Sequence, residues 1–174
     1  MVLRMGEMLV AEGLLSEEQV DEVLAIQREV GEPFGSICER IHGLSPETIE
    51  GVWARQYEHL TRELAIDEVD FDPAVADLVS PRQAWQFRVL PIAFDGGALV
   101  LATTRHSLAR ALRFATRVLH HPAMFLLLEP EALAEELQRR HPLGGMNVGM
   151  LQGGVPRSGV RAASSGSDRP GLGS

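Results

Sequence analysis

The chain contains no lysine; all sixteen of its basic residues are arginine. A phosphate-binding loop of the G-x-x-x-x-G-K-[ST] type and Schiff-base catalysis both need a lysine amine, so both are excluded. Cysteine is nearly absent. The single thiol, Cys38, rules out an internal disulfide and suits a reducing compartment. Long apolar runs are missing as well. The longest, Ala123–Leu128, has six residues, against the roughly 20 that span a bilayer, so no direct membrane insertion is expected. Met1–Gly6 carries one arginine and no long apolar stretch, unlike a secretory signal. These features predict a cytoplasmic protein. The formal net charge of -8 argues against nucleic acid or anionic lipid as a partner. The six histidines (42, 59, 106, 120, 121 and 141) show no ligand spacing with Cys38, so no metal site is expected. No Ser/His/Asp set or paired-carboxylate signature stands out, so no catalytic residue is assigned and the chain reads as a non-enzyme.

At 174 residues and 45% hydrophobic content, the chain is long enough to bury a sizeable core. The predicted class is α+β, in three parts. Residues 1–58 read as a four-helix lobe made of two tandem helical hairpins. Residues 59–141 read as a small three-stranded sheet with helices packed on it. Residues 142–174 turn to Gly, Ser and Pro, a composition that buries too little surface to offset its ordering entropy, and are expected to be disordered.

The helical part is an internal repeat. A shift of 29 residues superposes Gly6 on Gly35, Leu15 on Leu44, Ser16 on Ser45 and Gln27 on Gln56. It also superposes Met5 on Phe34, Leu9 on Cys38 and Leu24 on Trp53. Each unit reads as helix, tight turn, helix. Met5, Met8 and Leu9 have the i, i+3, i+4 spacing of one helical face, as do Phe34, Ile37 and Cys38. Gly13 and Gly43 suit the left-handed residue that ends a helix. Ser16 with Gln19 forms a capping box, and Pro46 suits the first helical position after Ser45. Gln27 and Gln56 each continue an apolar stripe. Each is either a stripe-edge amide that reaches solvent or caps a neighbouring helix, or a buried amide in need of a partner.

In the second part, Asp72-Pro73 and Ser80-Pro81 are helix starts. Residues 88–94 and 98–104 read as strands joined by Asp95-Gly96-Gly97, a hairpin signal. Residues 107–119 read as a helix, 123–128 as a strand and 130–140 as a final helix.

Arg4-Met5-Gly6, Leu9-Val10, Gly13-Leu14-Leu15, Val20, Leu24 and Gln27 follow the pattern RLG-x-x-L-L-x-x-G-L-L-x-x-x-x-L-x-x-x-L-x-x-Q. This resembles the MshEN family, the N-terminal domains of GspE, PilB and MshE-type ATPases of type II secretion and type IV pili. The family carries two such motifs five residues apart; here they fall at 4–27 and 33–56. Arg88-Val89-Leu90-Pro91, Asp95-Gly96-Gly97 and Leu99-Val100-Leu101-Ala102 are similar to strands of the GspE N-terminal region. The resemblance covers residues 3–141 and implies a regulatory or docking region standing alone, without the motor. It also implies a ligand, cyclic di-GMP, held by Arg4, Met5, Gly6, Leu9, Val10, Gly13, Leu14, Leu15 and Gln27 of the first motif and Phe34, Gly35 and Gln56 of the second. In that role Arg4 stacks on a base or forks onto a phosphate, the glycines admit the ligand to the backbone, and the leucines face the bases. On the structural reading the same glycines are caps and the leucines core. Departures from the pattern are Pro33 at the second motif's arginine position, His42 at its mid-motif glycine, and Thr104-Arg105-His106 where family members often have Ala-Asp-Pro. The family's tie to a membrane platform implies a second role, a ligand-independent adaptor for a protein of a secretion, pilus or motility machine.

Overall fold

The computed structural model describes residues 4–60 and 62–146. The helical half opens with α1 (Met5–Ala11), whose Met5, Met8 and Leu9 are buried at the expected spacing. Gly13, at φ 71°, turns the chain in the left-handed region. The hairpin's second helix is α2 (Glu17–Val30), started by the Ser16–Gln19 capping box: the Ser16 hydroxyl accepts from the Gln19 N–H at 3.2 Å, and the Ser16 N–H donates to Gln19 Oε1 at 2.8 Å. The second hairpin pairs α3 (Phe34–His42) with α4 (Pro46–Leu60), and Gly43 takes the left-handed turn at φ 66°. Both hairpins close with the same bond. Leu15 N–H donates to Leu9 O at 3.4 Å, and its equivalent Leu44 N–H donates to Cys38 O at 3.3 Å. The left-handed glycine comes one residue later in the second copy, so His42 stays helical. There its ring reaches back to α2, with Nδ1 3.4 Å from Gln19 Nε2 and Nε2 3.3 Å from Glu22.

The other half holds a mixed sheet of four strands rather than three. Its order is β1 (Glu63–Leu64), β4 (Ala123–Leu128), β3 (Ala98–Thr103), β2 (Leu90–Asp95). The unforeseen strand is β1, two residues long and parallel to β4; a pair of residues has no periodicity to read. β3 and β4 are also parallel, joined through α6 (Leu108–Arg117), whereas β2 and β3 form the expected antiparallel hairpin. All six residues of β4 are buried, as befits an inner parallel strand covered on both faces. Pro91, which has no N–H to give, lies on edge strand β2, next to a register shift at Ile92. Ile92 O accepts instead from Asp72 N–H at 2.8 Å, where a 3-10 segment (Pro73–Leu78) packs on β2. Strand β2 starts later than expected because Arg88 ends α5 (Pro81–Phe87) in the left-handed conformation, φ 57°.

Helices and sheet share one continuous core. Trp53 donates its indole N–H to Met5 O at 2.8 Å, tying α4 to α1. Tyr57 crosses from α4 to the sheet, where its phenol oxygen accepts the Phe125 N–H at 3.0 Å. The ring is fully buried, and burial pushes its phenol pKa up. On the other side of α4, Arg117 bonds Glu47 and Glu50, at 2.5 and 2.8 Å, and Thr116 donates to Glu50 at 2.8 Å. Cys38 is wholly buried, its thiol pKa pushed up to about 12 by desolvation, so it acts as a small apolar core residue.

The last helix is α7 (Pro130–Arg140). The expected disordered tail began at residue 142, but Leu143 and Met146 pack against the core. Their burial offsets the ordering of this Gly-rich turn. The remainder of that expectation, from residue 147 on, lies outside the described residues.

Candidate functional site

Where the first hairpin meets the sheet there is a cavity of about 530 Å³. One wall is α1, from Arg4 to Ala11. A second is the face of α2 that carries Glu17, Val20, Asp21, Leu24 and Arg28, residues spaced at three and four along the helix. The sheet contributes the β2–β3 turn, Gly96–Ala98, and the approach to β4, His121–Ala123, while Phe34 and Trp53 form part of the apolar floor. Arg4 precedes α1 in extended conformation (φ -72°, ψ 143°), and its guanidinium lies against Gly96. A Cβ at Gly96 would displace that guanidinium, and φ of 52° favours glycine there.

The charges are mixed. Arg4 and Arg28 face the cavity with Glu7, Glu17 and Asp21. Glu7 is engaged, since its carboxylate accepts the Arg4 backbone N–H at 3.2 Å. His121 meets the Phe94 ring edge-on at 5.5 Å between centroids, and burial together with neighbouring His120 lowers its pKa. An imidazole, two guanidinium groups, three carboxylates and apolar walls suit a polar ligand.

A family model for the MshEN domain matches residues 55–145, more than half of the chain. The chain belongs to the MshEN domain family. The matched stretch takes in the end of α4 and the whole sheet, so it overlaps the motif pair at 4–27 and 33–56 only at Arg55 and Gln56. Over 142 residues the chain is 32% identical to the type IV pilus assembly ATPase PilB of Thermus thermophilus. That alignment takes in 80% of this chain and 15% of PilB, so this MshEN chain spans about 15% of the length of that curated relative. A solved structure of MshE with cdg aligns with 79% of this chain and 99% of its own, at 22% identity and a TM-score of 0.39, too low to bear on the fold or the site. No helix among the described residues is long and apolar enough to cross a membrane.

Of the residues that the resemblance singles out, five line the cavity of this MshEN chain: Arg4, Met5, Gly6, Val10 and Phe34. The other seven lie elsewhere. Leu9 and Leu15 are core. Gly13 is an exposed helix end, and Leu14, beside it, is 37% exposed at the hairpin tip. Gly6 and Gly35 are packing glycines. A Cβ on Gly6 would meet Val20 Cγ1 at 2.5 Å, and one on Gly35 would meet the Thr116 carbonyl oxygen at 2.8 Å.

The two glutamines part company. Gln56 caps a neighbour, its amide N–H₂ bonding Glu12 at 2.9 Å and Met8 O at 3.5 Å at the end of α1. Gln27 is 1% exposed, and neither its amide nitrogen nor its oxygen has a partner among the described residues. Arg4, Gln27 and Gln56 are therefore not brought onto one surface; only Arg4 lines the cavity. Sequence reasoning missed Asp21, Arg28, the Gly96-Gly97 turn as a wall, and His121. Arg28 had a signal, standing four residues beyond Leu24 on the stripe. The turn and His121 had none, because only the tertiary fold carries them to α1.

Proposed function

We propose that this chain is a non-catalytic regulatory and docking module that binds cyclic di-GMP in the cavity between the first hairpin and the β2–β3 turn. The observation that carries this reading is Arg4: a first-motif guanidinium, without a side-chain partner among the described residues, held at the mouth of a cavity of about 530 Å³. That volume lies within the roughly 300–1,000 Å³ common for small-ligand sites. Guanidinium is the side chain best suited to fork onto a phosphate or lie on a base. Val10, Val20 and Leu24 offer apolar contact for ring faces. Gln27, buried on α2 without a partner among the described residues, is a polar group that a shift of α2 on binding would satisfy. The ligand would then bias the arrangement of the hairpin presented to a protein partner of a pilus, secretion or motility machine in the cytoplasm. Family membership and the PilB relative support that choice of partner.

Calorimetric titration of the 174-residue chain with cyclic di-GMP tests the reading. Saturable heat is expected, weakened at least tenfold by Arg4→Ala, a loss of about 1.4 kcal/mol. Absence of heat with ligand at several hundred micromolar, roughly 5 kcal/mol of binding, overturns it.

A further inference from the structure

Four charged side chains on the cavity walls have no hydrogen bond or ion pair within the described residues. They are Arg4 beside α1 and Glu17, Asp21 and Arg28 on α2. Elsewhere on this surface opposite charges find each other, as in Arg40–Glu32 at 2.8 Å, Arg62–Glu68 at 2.8 Å and Arg117–Glu47 at 2.5 Å. The cavity therefore offers separate donors and acceptors instead of neutralised pairs. Their placement has an order. Arg4 lies at the sheet end, beside Gly96 and Gly97, the central residues of a two-residue turn with φ of 52° and 83°. The N–H groups of both glycines make no backbone hydrogen bond among the described residues. The Arg4 guanidinium, against Gly96, marks an anion-accepting end. Glu17 and Asp21, one helical turn apart, form an acceptor-only end on α2, with Val20 and Leu24 between and beyond them as apolar wall.

We propose that Glu17 and Asp21 read the guanine edge of the ligand, and so select guanine over adenine cyclic dinucleotides. This rests on the reading under Proposed function and adds the residues that set its specificity. The Watson–Crick edge of guanine presents two adjacent donors, N1–H and the N2 amino group. A carboxylate accepts both in parallel, a charge-assisted bidentate contact. The same edge of adenine presents one donor, the N6 amino group, beside the N1 lone pair, which faces a carboxylate with repulsion. Arg4 and the glycine turn lie at the other end, beside Glu7, whose carboxylate already accepts the Arg4 backbone N–H at 3.2 Å.

Calorimetry with cyclic di-GMP and cyclic di-AMP, on the wild-type chain and on Glu17→Gln, Asp21→Asn and the double variant, tests this. Glu18→Gln, outside the cavity, serves as the control. The wild type is expected to prefer cyclic di-GMP by at least about tenfold, and the double variant to lose most of that preference. Both side chains are exposed, so thermal melting of the variants is expected to match the wild type. A general charge effect behaves differently, because removing two negative charges would strengthen binding of both dianions together. An unchanged ratio in the double variant, a parallel rise for both ligands, or a wild type that does not discriminate overturns the specificity assignment while leaving cyclic di-GMP binding intact. A wild type that binds neither ligand overturns both readings.

Discussion

The first hairpin, α1–α2, and the second, α3–α4, are copies in sequence and in closure, but they face different neighbours. The second is locked into the protein. Gly35 brings α3 against the Thr116 carbonyl of α6, Tyr57 reaches the sheet, and Glu47 and Glu50 hold Arg117. The first leaves its equivalent face open to a cavity, where Arg4, Glu17, Asp21 and Arg28 have no side-chain partner among the described residues. Pro33, at the second motif's arginine position, fits this division: a face packed on α6 has no use for a free guanidinium. A duplicated unit can thus pack one copy into the protein and leave the other facing a cavity.

Breaking the scaffold copy should cost most. Gly35→Ala forces a Cβ onto a backbone oxygen that cannot rotate away, and is expected to destabilise by about 2–3 kcal/mol in urea titration. Gly6→Ala, at the same motif position, meets only a valine methyl, and about 1 kcal/mol is expected. Equal losses would dissolve the distinction between the hairpins.

Trp53→Phe removes the N–H that pairs with Met5 O, a buried bond between the two copies, and is expected to cost about 1–3 kcal/mol. The glutamines sharpen the contrast further. Gln27→Leu removes a buried amide without a partner among the described residues and should stabilise by about 1 kcal/mol, whereas Gln56→Leu breaks a bond to Glu12 and should cost about 0.5 kcal/mol. Chemical denaturation of the two variants reads the opposite signs directly.

The smallest effects are in pH. Burial first lowers the pKa values of His121, at the cavity, and His141, after α7. Their contribution is complete above the ordinary histidine value near 6.5, and it drains away as pH falls from there toward the lowered folded values. The hydrogen bond from Arg117 first lowers the Glu47 carboxyl, so that contribution is complete above 4.5 and goes only in stronger acid. Denaturation midpoints of His121→Gln with His141→Gln should flatten the upper range, and Arg117→Ala the lower one.

Much of the architecture was legible because it is local. The Ser16 capping box, the Ser80-Pro81 helix start, the Gly43 turn and the Gly96-Gly97 hairpin are set within four residues of chain. Strand 123–128 and helix 130–140 were read to their observed ends. The two-residue β1, the left-handed Arg88 and the docking of Leu143 and Met146 were not legible, since each depends on distant partners. The candidate site was half legible. The motif pointed to Arg4, Met5, Gly6 and Val10, but it gave the same standing to Leu9, Leu15 and Gly35, which the core absorbs.

By itself the sequence determined the helices, the repeat, the hairpin and the absence of lysine chemistry, because periodicity, caps and composition act within a few residues. Only the tertiary structure decided which copy of the repeat would face open space. That depends on where the β2–β3 turn and the His121 segment come to rest against α1 and α2, and pairwise packing between elements far apart in the chain leaves no local pattern to read.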